Sequence, residues 1–271
     1  MASSRRRNDR NGRKFSGFRP PQAATAPGGS EWIWGRHAVQ AALANPRRPS
    51  FGRLLLAPGK TLDPAPQGAG REVRAEEMDN HEIARLLPQG AVHQGYALLA
   101  EPLEPVELEE IAEPAQGVIL MLDQVTDPQN IGAILRTAAA FCARGVILQD
   151  RRAPPLSGAL AKAAAGAADV TPVVRAVNLS RALERLTDLG WRSVGLAGES
   201  ENRLEAVLDG GPTVLVLGSE GDGMRRLVAE HCDVVARIGL AGGFESLNVA
   251  SAAAVALYEA SRLARHGSGT P

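Results

Sequence analysis

The sequence predicts an α/β protein in which a small α/β domain precedes a larger domain built on a mostly parallel sheet. From Gly117 onward, short and uniformly apolar runs alternate with helical segments, a pattern typical of parallel strands buried on both faces. Residues 31–100 carry a separate set of helix and strand signals. A stretch rich in proline and glutamate, residues 101–115, separates the two sets. The length of 271 residues fits one large or two modest domains.

Composition excludes several classes of protein. There is no run of about 18 uncharged apolar residues, and the N-terminus is rich in arginine rather than apolar. Neither a membrane span nor a secretory signal is therefore expected, and the protein is predicted to be cytoplasmic. The two cysteines, Cys142 and Cys232, lack Cys-x-x-Cys spacing and neighbouring histidines, so we expect buried free thiols and no metal site.

The first thirty residues form a basic arm. They contain seven Arg and Lys residues against Asp9 alone, so the rest of the chain carries the balancing negative charge. With almost no apolar content the arm is expected to be disordered when free. Such an arm either contacts nucleic acid or serves as a solubilising tail.

Residues 31–100 begin with a short apolar segment followed by a helix, Arg36 to Leu43, which ends at Asn45-Pro46. Further on, the pattern predicts strands at 53–57 and 95–100 and a helix at 78–87. Positive charge concentrates around the first helix and strand, on Arg36, His37, Arg47, Arg48 and Arg53. For His37 and His93 a hydrogen-bonded structural role is at least as well supported as a catalytic one.

Residues 101–115 contain three prolines and six glutamates without a helical or strand period. We expect an extended, self-repelling linker and place the domain boundary there. In the second domain, residues 116–271, the predicted strands are 118–122, 146–148, 173–177, 191–196, 214–217 and 234–238, and the predicted helices are 131–143, 156–168, 179–189, 224–231 and 247–264.

Three unusual turns follow strands of this sheet, and ligands of parallel sheets gather at the carboxyl ends of strands. In the first turn, Asp123 to Thr137, Asn130 is predicted to cap the next helix. On that helix Arg136 is predicted to face away from the apolar stripe, where it is either a solvated side chain or a functional one. The other two turns are the glycine-rich 218–223 and the segment 241–249.

Familiar nucleotide and hydrolase motifs are missing. No Gly-x-Gly-x-x-Gly follows the first strand of the second domain, and neither a P-loop nor a Gly-x-Ser-x-Gly elbow occurs. A glycine turn after a strand is by itself as compatible with a structural role as with ligand binding.

Three segments in order carry a specific resemblance: 127–136 (DPQNIGAILR), 217–224 (LGSEGDGM) and 238–249 with its SLNV ending. They resemble the motifs of the SpoU/TrmH class of SPOUT RNA ribose 2′-O-methyltransferases. Gly35-Arg-His-Ala-Val39 and His93-Gln-Gly95 further resemble the L30e-like substrate-binding domain of the branch that methylates a guanosine of large-subunit rRNA.

The resemblance implies a C-terminal knotted (trefoil) domain that binds S-adenosylmethionine, and a homodimer with sites near the subunit interface. The implied cofactor residues are Leu217, Gly218, Ile238, Leu240, Ser246, Leu247 and Asn248. Asn130, Arg136 and Glu220 match positions that hold the target ribose and its phosphate. Because the first domain is implied to bind RNA, its basic residues Arg36, His37, Arg47 and Arg48 become candidate RNA contacts.

The chain departs from the family pattern at Gly239, where proline is usual, at Phe244-Glu245 and at Ala250. These changes affect loop rigidity rather than the side chains assigned to chemistry. Three alternatives stay open: the same reaction on tRNA or another rRNA site, a catalytically silent RNA-binding protein of the same fold, and, disfavoured by the missing fingerprint, a nicotinamide oxidoreductase.

Overall fold

The computed structural model describes residues 30–48, 50–62, 73–154, 156, 158–242 and 246–267. Nearly all of the predicted basic arm lies outside these residues. The described chain forms two sheets, one of four strands and one of six. No helix in the described part is both long and apolar enough to cross a membrane.

The four-stranded sheet lies in the first domain and has the strand order β1-β4-β2-β3. Strand β4 is antiparallel to both of its neighbours, whereas β3 is parallel to β2. The predicted strands and helices of this domain are present, and β1 and β3 are additional. Its elements are β1 (Glu31–Trp34), α1 (Arg36–Ala44), β2 (Phe51–Leu56), β3 (Ala75–Glu77), α2 (Asn80–Leu86) and β4 (Tyr96–Ala100).

The expected extended linker is wrong in one part, because it contains helix α3 (Leu108–Ala112). Glu107 is the N-cap residue of this helix, and its backbone N–H donates to Oε1 of Glu110 at 2.9 Å. Ile111 is buried in the core of the second domain. This helix is amphipathic, but it is too short and has too few apolar residues to show a helical period of hydrophobicity in the sequence.

The six-stranded sheet of the second domain has the order β10-β8-β9-β5-β6-β7, and every pair of neighbours is parallel. The predicted parallel sheet is thereby confirmed. Its strands are β5 (Val118–Leu122), β6 (Gly145–Gln149), β7 (Val173–Ala176), β8 (Arg192–Leu196), β9 (Thr213–Leu217) and β10 (Val234–Ala236). Its helices are α4 (Pro128–Ala140), α5 (Gly158–Ala164), α6 (Ala167–Val170), α7 (Leu179–Asp188), α8 (Leu204–Val207), α9 (Arg226–Glu230) and α10 (Val249–Gly267).

Alternate residues of the central strand β5 enter cores on opposite faces of this sheet. Leu120 and Leu122 pack among residues of α4, α5 and α10, whereas Ile119 and Met121 pack among residues of α3 and α7. Burial on both faces explains why the strands are uniformly apolar. The threading that would make a knot stays a prediction.

Two details differ from the sequence expectations. The helix predicted over 156–168 is divided into α5 and α6 at Ala165 and Gly166, whose φ angles are +49° and +93°. Cys142 is exposed rather than buried, because it lies in the turn after α4. Cys232 is half-buried, and burial raises the pKa of its thiol to about 12.

Candidate active site

The candidate site lies at the carboxyl ends of β5 and β9, where a buried carboxylate joins two loops. Asp123 directly follows β5 and is fully buried. Its Oδ2 accepts a hydrogen bond from the backbone N–H of Arg225, and its Oδ1 accepts one from Arg225 Nε, both at 2.8 Å. The backbone N–H of Asp123 also donates to the carbonyl of Leu217 at 2.8 Å. The loop after β9 is thus fixed to the end of β5.

That loop folds back on itself. Ser219 and Gly223 exchange two backbone hydrogen bonds of 3.1 Å, and Gly221 and Gly223 have positive φ angles of +94° and +66°. A Cβ atom on Gly218 would overlap the backbone of Gly223 and Met224. Glycine at 218 is therefore required by the loop's own backbone, in addition to any approach of a ligand.

A hydrogen-bonded cluster brings the three predicted motifs together. Oε1 of Glu220 accepts hydrogen bonds from Asn130 Nδ2 at 3.0 Å and from Asn248 Nδ2 at 2.6 Å. Asn248 Nδ2 is also 3.0 Å from Asn130 Oδ1. We call these three residues the Asn-Glu-Asn cluster. It joins α4, the glycine loop and the start of α10.

The cluster also corrects the role expected of Asn130. The cap of α4 is Asp127, which accepts a hydrogen bond from the backbone N–H of Gln129, and the helix begins at Pro128. Asn130 therefore lies inside the first turn, and its amide is directed to Glu220 instead. At the other helix, Oδ1 of Asn248 accepts from the backbone N–H groups of Ala250 and Ser251, so Asn248 both caps α10 and belongs to the cluster.

Beside the cluster lies a cavity of about 1230 Å³. Ligand pockets usually measure about 300–1,000 Å³, so this cavity can hold a small molecule of ordinary size. Leu240 and Leu247 contribute exposed apolar surface, while the glycine loop contributes backbone polar groups. Its walls include all seven residues that the sequence predicted for a cofactor: Leu217, Gly218, Ile238, Leu240, Ser246, Leu247 and Asn248.

Arg136 lies away from this cavity. It is exposed on α4 and makes no hydrogen bond or ion pair with the residues that the structure describes. It instead borders a cleft of about 340 Å³ between α1, α4 and the junction of α5 with α6. Asn130 and Glu220 are thus brought together within one chain, whereas Arg136 is separated from them.

The four basic candidates of the first domain divide into two groups. Arg36, His37 and Arg47 are exposed, and Arg47 donates a hydrogen bond to the carbonyl of Glu104. Arg48 is 2% exposed and forms an ion pair of 2.7 Å with Asp169 on α6. The interpretation of Arg48 as an RNA contact needs correction, because its guanidinium is enclosed between the domains.

Two buried carboxylates that organise the structure, Asp123 and Asp169, are not predicted from the sequence. Asp123 was included only as the first residue of a turn, although a carboxylate directly after a buried strand is a usable signal. Asp169 gave no local signal, since its partner is 121 residues away. Among the described residues there is no group of three or more His, Cys, Asp or Glu side chains that could hold a metal ion.

Comparison with protein families identifies both domains. Residues 117–258 match the family model of the SpoU rRNA methylase family. Residues 32–106 match the model described as RNA 2′-O ribose methyltransferase substrate binding.

Individual relatives agree with the family models along most of the chain. The 23S rRNA (guanosine-2′-O-)-methyltransferase RlmB of Pseudomonas aeruginosa is 42% identical over 243 residues, covering 85% of this chain and 96% of the relative. RlmB of Escherichia coli is 37% identical over 241 residues, covering 86% and 98%.

Solved structures give the same fold. The SpoU methyltransferase AviRb of Streptomyces viridochromogenes superposes with a TM-score of 0.72 at 23% identity, covering 88% of this chain and 91% of that one. An AdoMet-bound rRNA methyltransferase of Sinorhizobium meliloti superposes with a TM-score of 0.67 at 25% identity, covering 86% and 87%.

The contacts of Gly218 predict the effect of replacing it by alanine. Gly218→Ala should displace the glycine loop, since overpacking costs about 1–3 kcal/mol, and should raise the Kd for S-adenosylmethionine roughly tenfold or more. The matched control is Gly239→Ala, another glycine of the cavity wall, whose Cβ would be 3.4 Å from the flexible side chain of Arg203. Isothermal titration calorimetry measures both variants. Equal affinities would contradict the assigned role of Gly218.

Proposed function

Because the chain belongs to the SpoU rRNA methylase family, we propose that it methylates a ribose 2′-hydroxyl of RNA, at a guanosine of 23S rRNA. The observation that carries the proposal is the Asn-Glu-Asn cluster, which joins all three motifs beside one large cavity. The names of the Pseudomonas and Escherichia relatives, which align over nearly their full lengths, support the choice of 23S rRNA guanosine.

The cavity suits S-adenosylmethionine in size and chemistry. Leu217, Ile238 and Leu247 offer apolar contacts, while the backbone of the glycine loop offers hydrogen-bonding groups for the polar parts of the ligand. Leu240 and Ser246 line the same loops. When bound, S-adenosylmethionine supplies an electrophilic methyl group. Asn248 lies on the wall between cavity and cluster, so it holds the cofactor loop next to the residues that receive the ribose.

The cluster is suited to orienting a ribose hydroxyl. Within the described residues, Glu220 accepts its hydrogen bonds, including one from the backbone N–H of Val249, through Oε1. Its Oε2 makes no hydrogen bond with described residues, and we assign it to accept one from the ribose. The amide of Asn130 fixes the carboxylate orientation. Holding the nucleophilic oxygen in one direction is a major source of rate enhancement in such a transfer.

Arg136 supplies the positive charge. A guanidinium stays protonated at any physiological pH, so it is poorly suited to be the proton acceptor. We assign it to bind the phosphate beside the target ribose and to lower the pKa of the hydroxyl, while the proton leaves to phosphate or water.

A homodimer accounts for the separation of Arg136 from the cavity of its own chain. The outer side of α10 carries exposed apolar side chains, Val255 at 42% and Tyr258 at 54%. Tyr258 makes an edge-to-face contact with Phe141 at the end of α4, with ring centroids 6.2 Å apart. Leu247, just before α10, is also exposed and lines the cavity. We propose that it is covered by a second copy, so that sites form near the interface. A cytoplasmic location follows from the proposed rRNA substrate.

The function is tested by incubating the protein with labelled S-adenosylmethionine and 23S rRNA from cells that lack it. We expect one labelled 2′-O-methyl guanosine, which mapping of the modified nucleotide would identify. Arg136→Ala should bind both substrates and lose about 10²-fold or more in single-turnover rate. Label in tRNA alone would mean that tRNA, and not 23S rRNA, is the substrate. No transfer to any RNA would overturn the proposal.

The dimer is tested by Tyr258→Asp. A charge in the covered apolar surface should shift sedimentation equilibrium from dimer to monomer and reduce methyl transfer, because burying an unpaired charge is costly. The matched control is Leu227→Asp, which alters another exposed apolar residue on α9. A wild-type monomer, or unchanged mass in Tyr258→Asp, would contradict this interface.

A further inference from the structure

The two domains are joined by a buried ion pair that the proposed reaction does not use. Arg48, which follows α1, donates from Nε to Oδ1 and from Nη2 to Oδ2 of Asp169, at 2.7 and 3.1 Å. Both side chains are only 2% exposed. Arg48 also donates from Nη1 to the carbonyl of Glu101 at 2.9 Å, and Asn45 Nδ2 donates to Asp169. This two-pronged geometry fixes orientation as well as distance.

Close packing extends the contact along α5 and α6. A Cβ atom on Gly166, between these helices, would be 2.7 Å from Ala41 Cβ and 2.9 Å from the carbonyl of His37. Ala161 of α5 belongs to the apolar core of the first domain. Lys162 approaches Gly35, and burial together with this ammonium lowers the pKa of His93. The interface is therefore closely packed and joined by specific pairs, unlike a flexible connection between independent domains.

The same interface forms one wall of the cleft that contains Arg136. Ala41 of α1 and Val170 of α6 line this cleft together with Arg136 and Ala139 of α4. Ala41 is four residues after His37 and hence on the same face of α1. The exposed basic start of α1 and the proposed phosphate-binding Arg136 therefore border one continuous surface.

We propose that the Arg48–Asp169 pair is a positioning device that holds the first domain on α6, so that α1 and Arg136 engage a single RNA segment together. The inference rests on the proposed function. If the pair breaks, the domains reorient, and RNA must bind the small fraction of molecules in which both surfaces are aligned. The apparent affinity for RNA then falls by that fraction, while transfer from the aligned complex stays unchanged.

The sign of the effect distinguishes positioning from simple electrostatics. Asp169→Asn removes a negative charge, which by itself would strengthen binding to polyanionic RNA. If the pair positions the domains, Asp169→Asn should instead weaken RNA binding. The KM for 23S rRNA should then rise about tenfold while kcat changes less than about twofold. The Kd for S-adenosylmethionine, measured by calorimetry, should equal that of the wild type, since the cavity is remote from α6.

Two further variants control for folding and charge. Arg48→Met/Asp169→Leu replaces the pair by apolar side chains that keep the interface filled, and it should restore KM to within about threefold of the wild type. Arg53→Met removes an arginine of the same domain whose partner, Glu76, is in that domain, and should leave KM unchanged. A wild-type KM in Asp169→Asn, or equal losses in kcat and S-adenosylmethionine binding, would overturn the inference. Inactive wild-type protein would instead overturn the proposed function.

Discussion

The shared acceptor oxygen of Glu220 is the constraint on which the candidate site depends. Three segments separated by up to 118 residues converge on it, one from each motif. Asn248 can reach Glu220 only because it ends the loop before α10, and Asn130 only because it lies in the first turn of α4. The buried carboxylate of Asp123 holds the end of the glycine loop through two hydrogen bonds from Arg225. A fully buried carboxylate needs such paired donors, so this loop has little freedom to move.

The parallel sheet explains why these parts meet. Strands β5 and β9 are neighbours at its centre, and their carboxyl ends deliver Asp123 and Gly218 to the same edge. Helix α4, which follows β5, covers one face of the sheet, and α9, which follows β9, covers the other. Helix α4 also packs on α5 and thereby toward the first domain. Arg136 consequently faces the interdomain cleft rather than the cavity. Under the proposed function, methyl donor and RNA enter from different sides, and a second copy on the exposed apolar side of α10 would bring them together.

Much of this architecture could be predicted from sequence, because it depends on local patterns. The uniformly apolar segments predict the parallel sheet, and the motifs in the turns predict the residues that line the cavity. The failures share a physical cause. From the sequence, Arg48 is expected to be a surface charge, but it is buried against Asp169, which is 121 residues away. Ile111 is buried although its sequence neighbours are mostly glutamates. Asn130 has the residue type of a cap, but its amide pairs with Glu220, 90 residues away, and Asp127 caps the helix. Long-range pairing, not local propensity, decided each case.

The central claim is that the three motifs act as one unit through Glu220. A double-mutant cycle of Asn130→Ala and Asn248→Ala, measured as single-turnover methyl transfer to 23S rRNA, tests it most directly. Both side chains bond the same oxygen, so losing one should make the second loss far less costly, with a coupling free energy above about 0.5 kcal/mol. Additive effects within about 0.3 kcal/mol would mean that the two asparagines work independently, and would contradict the account.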